Sequence, residues 1–86
     1  MRSLREFIVA MDMARYEQKP QYVGNIRITY IEYVGQYYAV YNDVGIRFDK
    51  VKYDTEDKVL WFCIKTSRKT IPVARVPYGV DEYEED

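Results

Sequence analysis

Ile26-Arg27-Ile28-Thr29-Tyr30-Ile31-Glu32-Tyr33-Val34-Gly35-Gln36-Tyr37-Tyr38-Ala39-Val40-Tyr41-Asn42-Asp43-Val44-Gly45-Ile46-Arg47-Phe48 reads as β-strands joined by tight turns. Ile26, Ile28, Tyr30 and Val34 alternate with Arg27, Thr29, Ile31 and Tyr33, and a period of two marks a half-buried strand. Gly35-Gln36 fits a two-residue type II′ turn, in which glycine takes a positive φ at the first position. Residues 37–41 return, Asn42-Asp43 makes a second tight turn, and a third strand is expected over residues 44–53. Registering the hairpins by these turns separates two sheet faces, because successive side chains point to opposite sides. One face collects Ile26, Ile28, Tyr30, Val34, Tyr37, Ala39, Tyr41, Val44, Ile46 and Phe48, with Glu32 as its misfit. The other collects Arg27, Thr29, Ile31, Tyr33, Tyr38, Val40 and Arg47, with Tyr38 opposite Arg47.

Upstream of this stretch the period changes to that of a helix. Ser3 followed by Glu6 can form a capping box, in which each side chain satisfies a free backbone N–H at the helix start. Leu4, Phe7, Ile8, Met11 and Ala14 then make one apolar stripe at helical spacing. Lys19-Pro20 ends it, because proline disfavours helical geometry in the residue before it. The helix is expected over residues 4–18. Val9, Met13 and Tyr16 form a second, shorter stripe on its far side.

Downstream, residues 54–57 form a loop, residues 58–66 a fourth strand and Ser67-Arg68 a turn into a fifth strand over residues 69–76. Pro72 lacks an N–H donor and places that last strand at an edge. The chain holds 17 valines and isoleucines against two leucines, a composition suited to a pleated surface. The expected fold is α+β: an N-terminal helix packed on a curved antiparallel meander of about five strands, with closure into a small β-barrel as the alternative. Strand four, apolar on both sides from Leu60 to Ile64, requires cover on both faces.

The chain has 86 residues and a net charge of −1, but charge is unevenly divided. Residues 81–86 carry five acids, which leaves residues 1–80 with 13 basic and nine acidic side chains and a charge of +4. One domain over residues 1–80 and an acidic, flexible tail over residues 81–86 are expected. No stretch is long and apolar enough for a membrane span, no signal peptide is visible, and a lone cysteine forms no internal disulfide. A cytoplasmic protein is expected. The scarcity of asparagine and glutamine, with no histidine, leans toward a heat-adapted source and an archaeal or viral accessory protein.

With no histidine there is no imidazole base and no Ser-His or Cys-His pair. No enzymatic activity, cofactor or metal is expected. The remote alternative is a metal-dependent nuclease, in which Asp43, Glu56 and Asp57 hold a divalent ion and Lys58 stabilises developing charge.

The leading expectation is a small interaction module, an accessory or regulatory protein acting through protein partners and homodimerisation. Its interface is placed on Val9, Met13, Tyr16, Leu60 and Phe62. The alternative is binding of single-stranded DNA or RNA. Ten tyrosines exceed what so small a core can satisfy, and tyrosine beside arginine or lysine is how sheet modules stack bases and hold phosphates. Arg27, Tyr33, Tyr38 and Arg47 supply that mixture on one face, while Lys65, Arg68, Lys69 and Arg75 are expected at a basic hairpin end.

Overall fold

A computed structural model of the chain describes residues 3–79. One helix, α1 (Leu4–Glu17), precedes seven strands: β1 (Gln21–Val23), β2 (Ile26–Ile31), β3 (Gln36–Tyr41), β4 (Val44–Phe48), β5 (Lys50–Asp54), β6 (Val59–Lys65) and β7 (Thr70–Pro77). The class is α+β, as the periodicities require. The strands form two open antiparallel sheets, β1-β2-β3-β4 and β5-β6-β7, in place of one five-stranded meander or a closed barrel. The expected tail, residues 81–86, lies outside the described residues.

Helix α1 starts at Ser3, whose hydroxyl accepts the Glu6 N–H at 3.0 Å. It ends one residue earlier than expected because Gln18 turns left-handed (φ 57°) and donates its N–H to the Ala14 carbonyl. The helix buries Phe7, Ala10, Met11 and Ala14, while Ile8 is exposed and Leu4 packs at the margin. Ala10, flanked by Phe7 and Ala14, brings the helix close to β1 and β2.

Three turns set the first sheet. The Gly24-Asn25 turn joins β1 to β2 with Gly24 at φ 59°, a hairpin too short to show as periodicity. Between β2 and β3 the expected two-residue turn is a four-residue loop, Glu32 to Gly35. The Val34 and Gly35 N–H groups both donate to the Ile31 carbonyl, making one helical turn that Gly35 stops at φ 68°. Tyr30 consequently faces Tyr37, and Ile31 faces Gln36. The register differs from the expected one by an even number of residues, so the faces are preserved. Asn42 (φ 50°) and Asp43 (φ 64°) form the type I′ geometry at the β3–β4 turn.

The expected third strand breaks at Asp49. Its N–H donates to the Cys63 carbonyl at 2.8 Å, and its carboxylate accepts the Lys65 N–H at 2.9 Å. Before the bend the chain pairs with β3, and after it with β6. A bend of this kind lets one strand serve two sheets.

The two sheets and the helix share one core. Phe48 and Phe62 meet edge to face at 4.7 Å, Tyr37 stacks on Phe48 at 5.6 Å, and Phe7 lies 5.9 Å from Phe62. Leu60 and Phe62, assigned above to an interface, are 0% exposed and point into this core. The cover expected for this side of their strand is therefore internal, while Trp61 between them stays half-buried on the other side. Strand β7, at the sheet edge as Pro72 demands, runs on to a fully buried Tyr78. Tyr78 donates its N–H to the Lys58 carbonyl and its hydroxyl to the Ser3 carbonyl at 2.6 Å, and its own carbonyl accepts the Tyr53 hydroxyl. These bonds tie the end of β7 to the start of α1.

Candidate nucleic-acid interface

With Ile26, Ile28, Ala39, Ile46 and Phe48 committed to the core, alternation sends their neighbours to the outer face of the first sheet. Register aligns these in two rows. Tyr22 pairs with Arg27, Arg27 with Val40, and Val40 with Gly45; Thr29 pairs with Tyr38, and Tyr38 with Arg47. Paired residues share a face and approach to about 5 Å at Cβ. Each arginine therefore stands beside a tyrosine, and no strand residue on this face is acidic.

Tyr38 is held in a specific pose. Its ring lies across the sheet onto Gly45, so closely that a Cβ added there would overlap the phenol Oη and Cζ. A glycine in a strand offers such a floor to a cross-strand aromatic ring. The Thr29 hydroxyl donates to the Tyr38 carbonyl at 3.3 Å. Tyr22, 67% exposed, is the residue that sequence reading missed on this face. The signal for it was the Gly24-Asn25 hairpin turn.

The eight residues proposed from sequence divide into separate places. Arg27, Tyr38 and Arg47 come together as expected from the faces. Tyr33 does not join them: it sits, 90% exposed, in the β2–β3 loop, because β2 ends at Ile31. Lys65, at the end of β6, and Arg68 and Lys69, in the β6–β7 turn, do form a basic hairpin end. There the Thr66 hydroxyl accepts the N–H groups of Arg68 and Lys69. Arg75 is not at that end. It pairs with Trp61 well along β7, and its guanidinium lies 5.4 Å from the Trp61 ring.

On the opposite side of the core, Val9, Met13 and Tyr16 are all exposed on α1, Tyr16 at 87%. Asp12, Met13, Arg15 and Tyr16 line a shallow open groove there. Arg15 reaches from the same helix over Tyr30, 5.2 Å from its ring. Burial raises the Tyr37 pKa above its ordinary value, and the nearby Arg15 guanidinium opposes that shift only in part.

The residues of the nuclease alternative are dispersed. Asp43 lies in the β3–β4 turn of the first sheet, whereas Glu56, Asp57 and Lys58 occupy the β5–β6 loop of the second. Asp54 organises that loop by accepting the N–H groups of Glu56 and Asp57. No cluster of three acidic or cysteine side chains able to hold a metal forms among the described residues. No helix among them is long and apolar enough to cross a membrane. No family model, curated protein or solved structure matches the chain.

Proposed function

We propose that the chain is a binding module without a chemical step, and that the outer face of its first sheet takes single-stranded nucleic acid. The observation that carries this reading is the pairing of Tyr22 with Arg27 and of Tyr38 with Arg47 on a sheet face without carboxylates. Aromatic rings stack on bases of any sequence, and guanidinium groups beside them bind the intervening phosphates. Tyr38, laid over Gly45, has its ring plane set before any ligand arrives. Preorganisation of this kind lowers the ordering cost of binding. A net +4 over residues 1–80 suits a modest, salt-sensitive affinity.

The test is fluorescence anisotropy of labelled oligo-dT and oligo-U against the full chain at low salt. Binding that weakens with added salt is expected. Tyr38→Ala or Tyr22→Ala should cost about 1 to 3 kcal/mol, and Arg27→Gln or Arg47→Gln should reduce the salt slope by about one. No anisotropy change at low salt would overturn the reading.

A second reading, homodimerisation and protein contact through α1, is supported by the exposed Val9, Met13 and Tyr16 beside the groove. Leu60 and Phe62 take no part in it, being internal. Light scattering at micromolar concentration tests it: a mass near 10.4 kDa would exclude the dimer. The lone cysteine, Cys63, is buried and unpaired, which suits a reducing compartment such as the cytoplasm.

A further inference from the structure

We infer that the outer face of the second sheet is another contact surface for a single-stranded polynucleotide, centred on Trp61. The inference rests on the reading above for the class of ligand, but on different residues. Val51, Tyr53, Leu60, Phe62, Ala74 and Val76 turn inward to the core. Alternation therefore places their neighbours on the outer side.

Register puts Lys52, Trp61 and Arg75 in one row across β5, β6 and β7. Lys50 stands in the next row of the same face, opposite Cys63, and Lys65 lies two residues further along β6. A bulge at Phe62/Cys63 makes Cys63 face Pro72, which keeps Arg75 in step with Trp61. The face thus gathers four cations around the only tryptophan of the chain. The carboxylate among its strand residues, Asp54, is engaged by the Glu56 and Asp57 N–H groups at 2.9 and 3.1 Å, and Asp49, at the bend beside Lys50, accepts the Lys65 N–H.

Charge complementarity selects a polyanion for this surface. The aromatic component selects one that carries planar rings between its charges. Arg75 over the indole offers a guanidinium plane on which a base can stack, while its free N–H groups and the Lys50 and Lys52 ammoniums address phosphates. An acidic protein would use the cations but would have no need of the indole that Arg75 approaches.

Because Trp61 is the only tryptophan, its emission reports on this face alone. The full chain is titrated with unlabelled oligo-dT while Trp61 fluorescence is read, in parallel with anisotropy of the labelled strand. Quenching that tracks the anisotropy curve is expected. Lys52→Glu, on an exposed strand position, should remove the quenching at matched concentration and lower the salt slope by about one. Trp61→Ala should weaken the anisotropy-detected affinity roughly 5- to 150-fold. Circular dichroism of each variant separates this from misfolding, and Lys52→Glu carries the test where Trp61→Ala does not fold. Tyr38→Ala should weaken the first face yet leave quenching attainable at higher oligonucleotide concentration. An anisotropy rise with unchanged Trp61 emission and an inert Lys52→Glu would overturn the second surface and leave the first-sheet reading standing. Absence of both signals would overturn both.

Discussion

Alanine at Gly45 separates Tyr38 as a binding platform from Tyr38 as a structural side chain. The added Cβ would overlap the phenol Oη and Cζ and lie 3.0 Å from Cε1, so the ring must leave its present pose. The Gly45 backbone is outside the left-handed region, which makes alanine compatible with the strand itself. Removing glycine from a strand interior is worth about 0.5 to 1 kcal/mol through the unfolded chain. Turning the phenol away costs about 0.5 to 1.5 kcal/mol in rotamer strain. The two terms offset to within about 1 kcal/mol, or a shift in Tm of roughly 4 to 8 °C at most for a domain of this size. Binding should respond differently, because a displaced ring forfeits stacking worth about 1 to 3 kcal/mol. Thermal melts by circular dichroism and oligonucleotide anisotropy on the same Gly45→Ala sample make the comparison. A folded variant of near-native Tm with undiminished affinity would refute the argument that the Tyr38 pose serves binding. A loss of several kcal/mol in stability would show the ring to be locked in place by packing.

Three further outcomes are expected. Tyr78→Phe removes the hydroxyl bond to the Ser3 carbonyl and should lower urea-unfolding stability by about 1 kcal/mol, whereas Tyr78→Ala, emptying a fully buried site, should cost about 3 to 5 kcal/mol. The raised Tyr37 pKa means that the folded state keeps a proton the unfolded state releases above about pH 10. Its contribution is therefore complete below pH 10 and is lost as pH rises toward the folded value, and Tyr37→Phe should unfold less steeply in that range by chemical denaturation. Deleting residues 81–86 removes five carboxylates and should tighten oligonucleotide binding at low salt, measured by anisotropy; weaker binding would contradict competition between tail and ligand.

The helix and both faces of the first sheet were legible because each rests on periodicity, which survives errors in the turns. The β2–β3 loop illustrates this. Gly35 serves equally as the first residue of a two-residue turn or as the left-handed stop of a four-residue one, and only the second agrees with β2 ending at Ile31. Faces held within the strands because the slip was even, but Tyr33 and Val34 moved from the sheet to the loop, and Val44, expected on the inner face, is exposed.

The bend at Asp49 was written in the sequence as a change of phase. Ile46 and Phe48 point inward, then Val51 and Tyr53, so the alternation skips one residue. Reading residues 44–53 as one strand erased that skip and merged two sheets. Leu60 and Phe62 then seemed to need an outside partner, when both lie in the shared core, with Phe62 against Phe48 and Phe7. The Lys52–Trp61–Arg75 row depends on a bulge and on two turn lengths, neither of which periodicity records. Tyr22 was hidden by the three-residue length of β1.

The most direct test of the first-sheet interface is a two-dimensional amide NMR titration of the isotope-labelled full chain with a short single-stranded oligonucleotide. Saturable shifts concentrated at Tyr22, Arg27, Thr29, Tyr38, Gly45 and Arg47, with the outer side of α1 unmoved, are the predicted result. Shifts confined to Val9, Met13 and Tyr16, or no shifts at low salt, would contradict it.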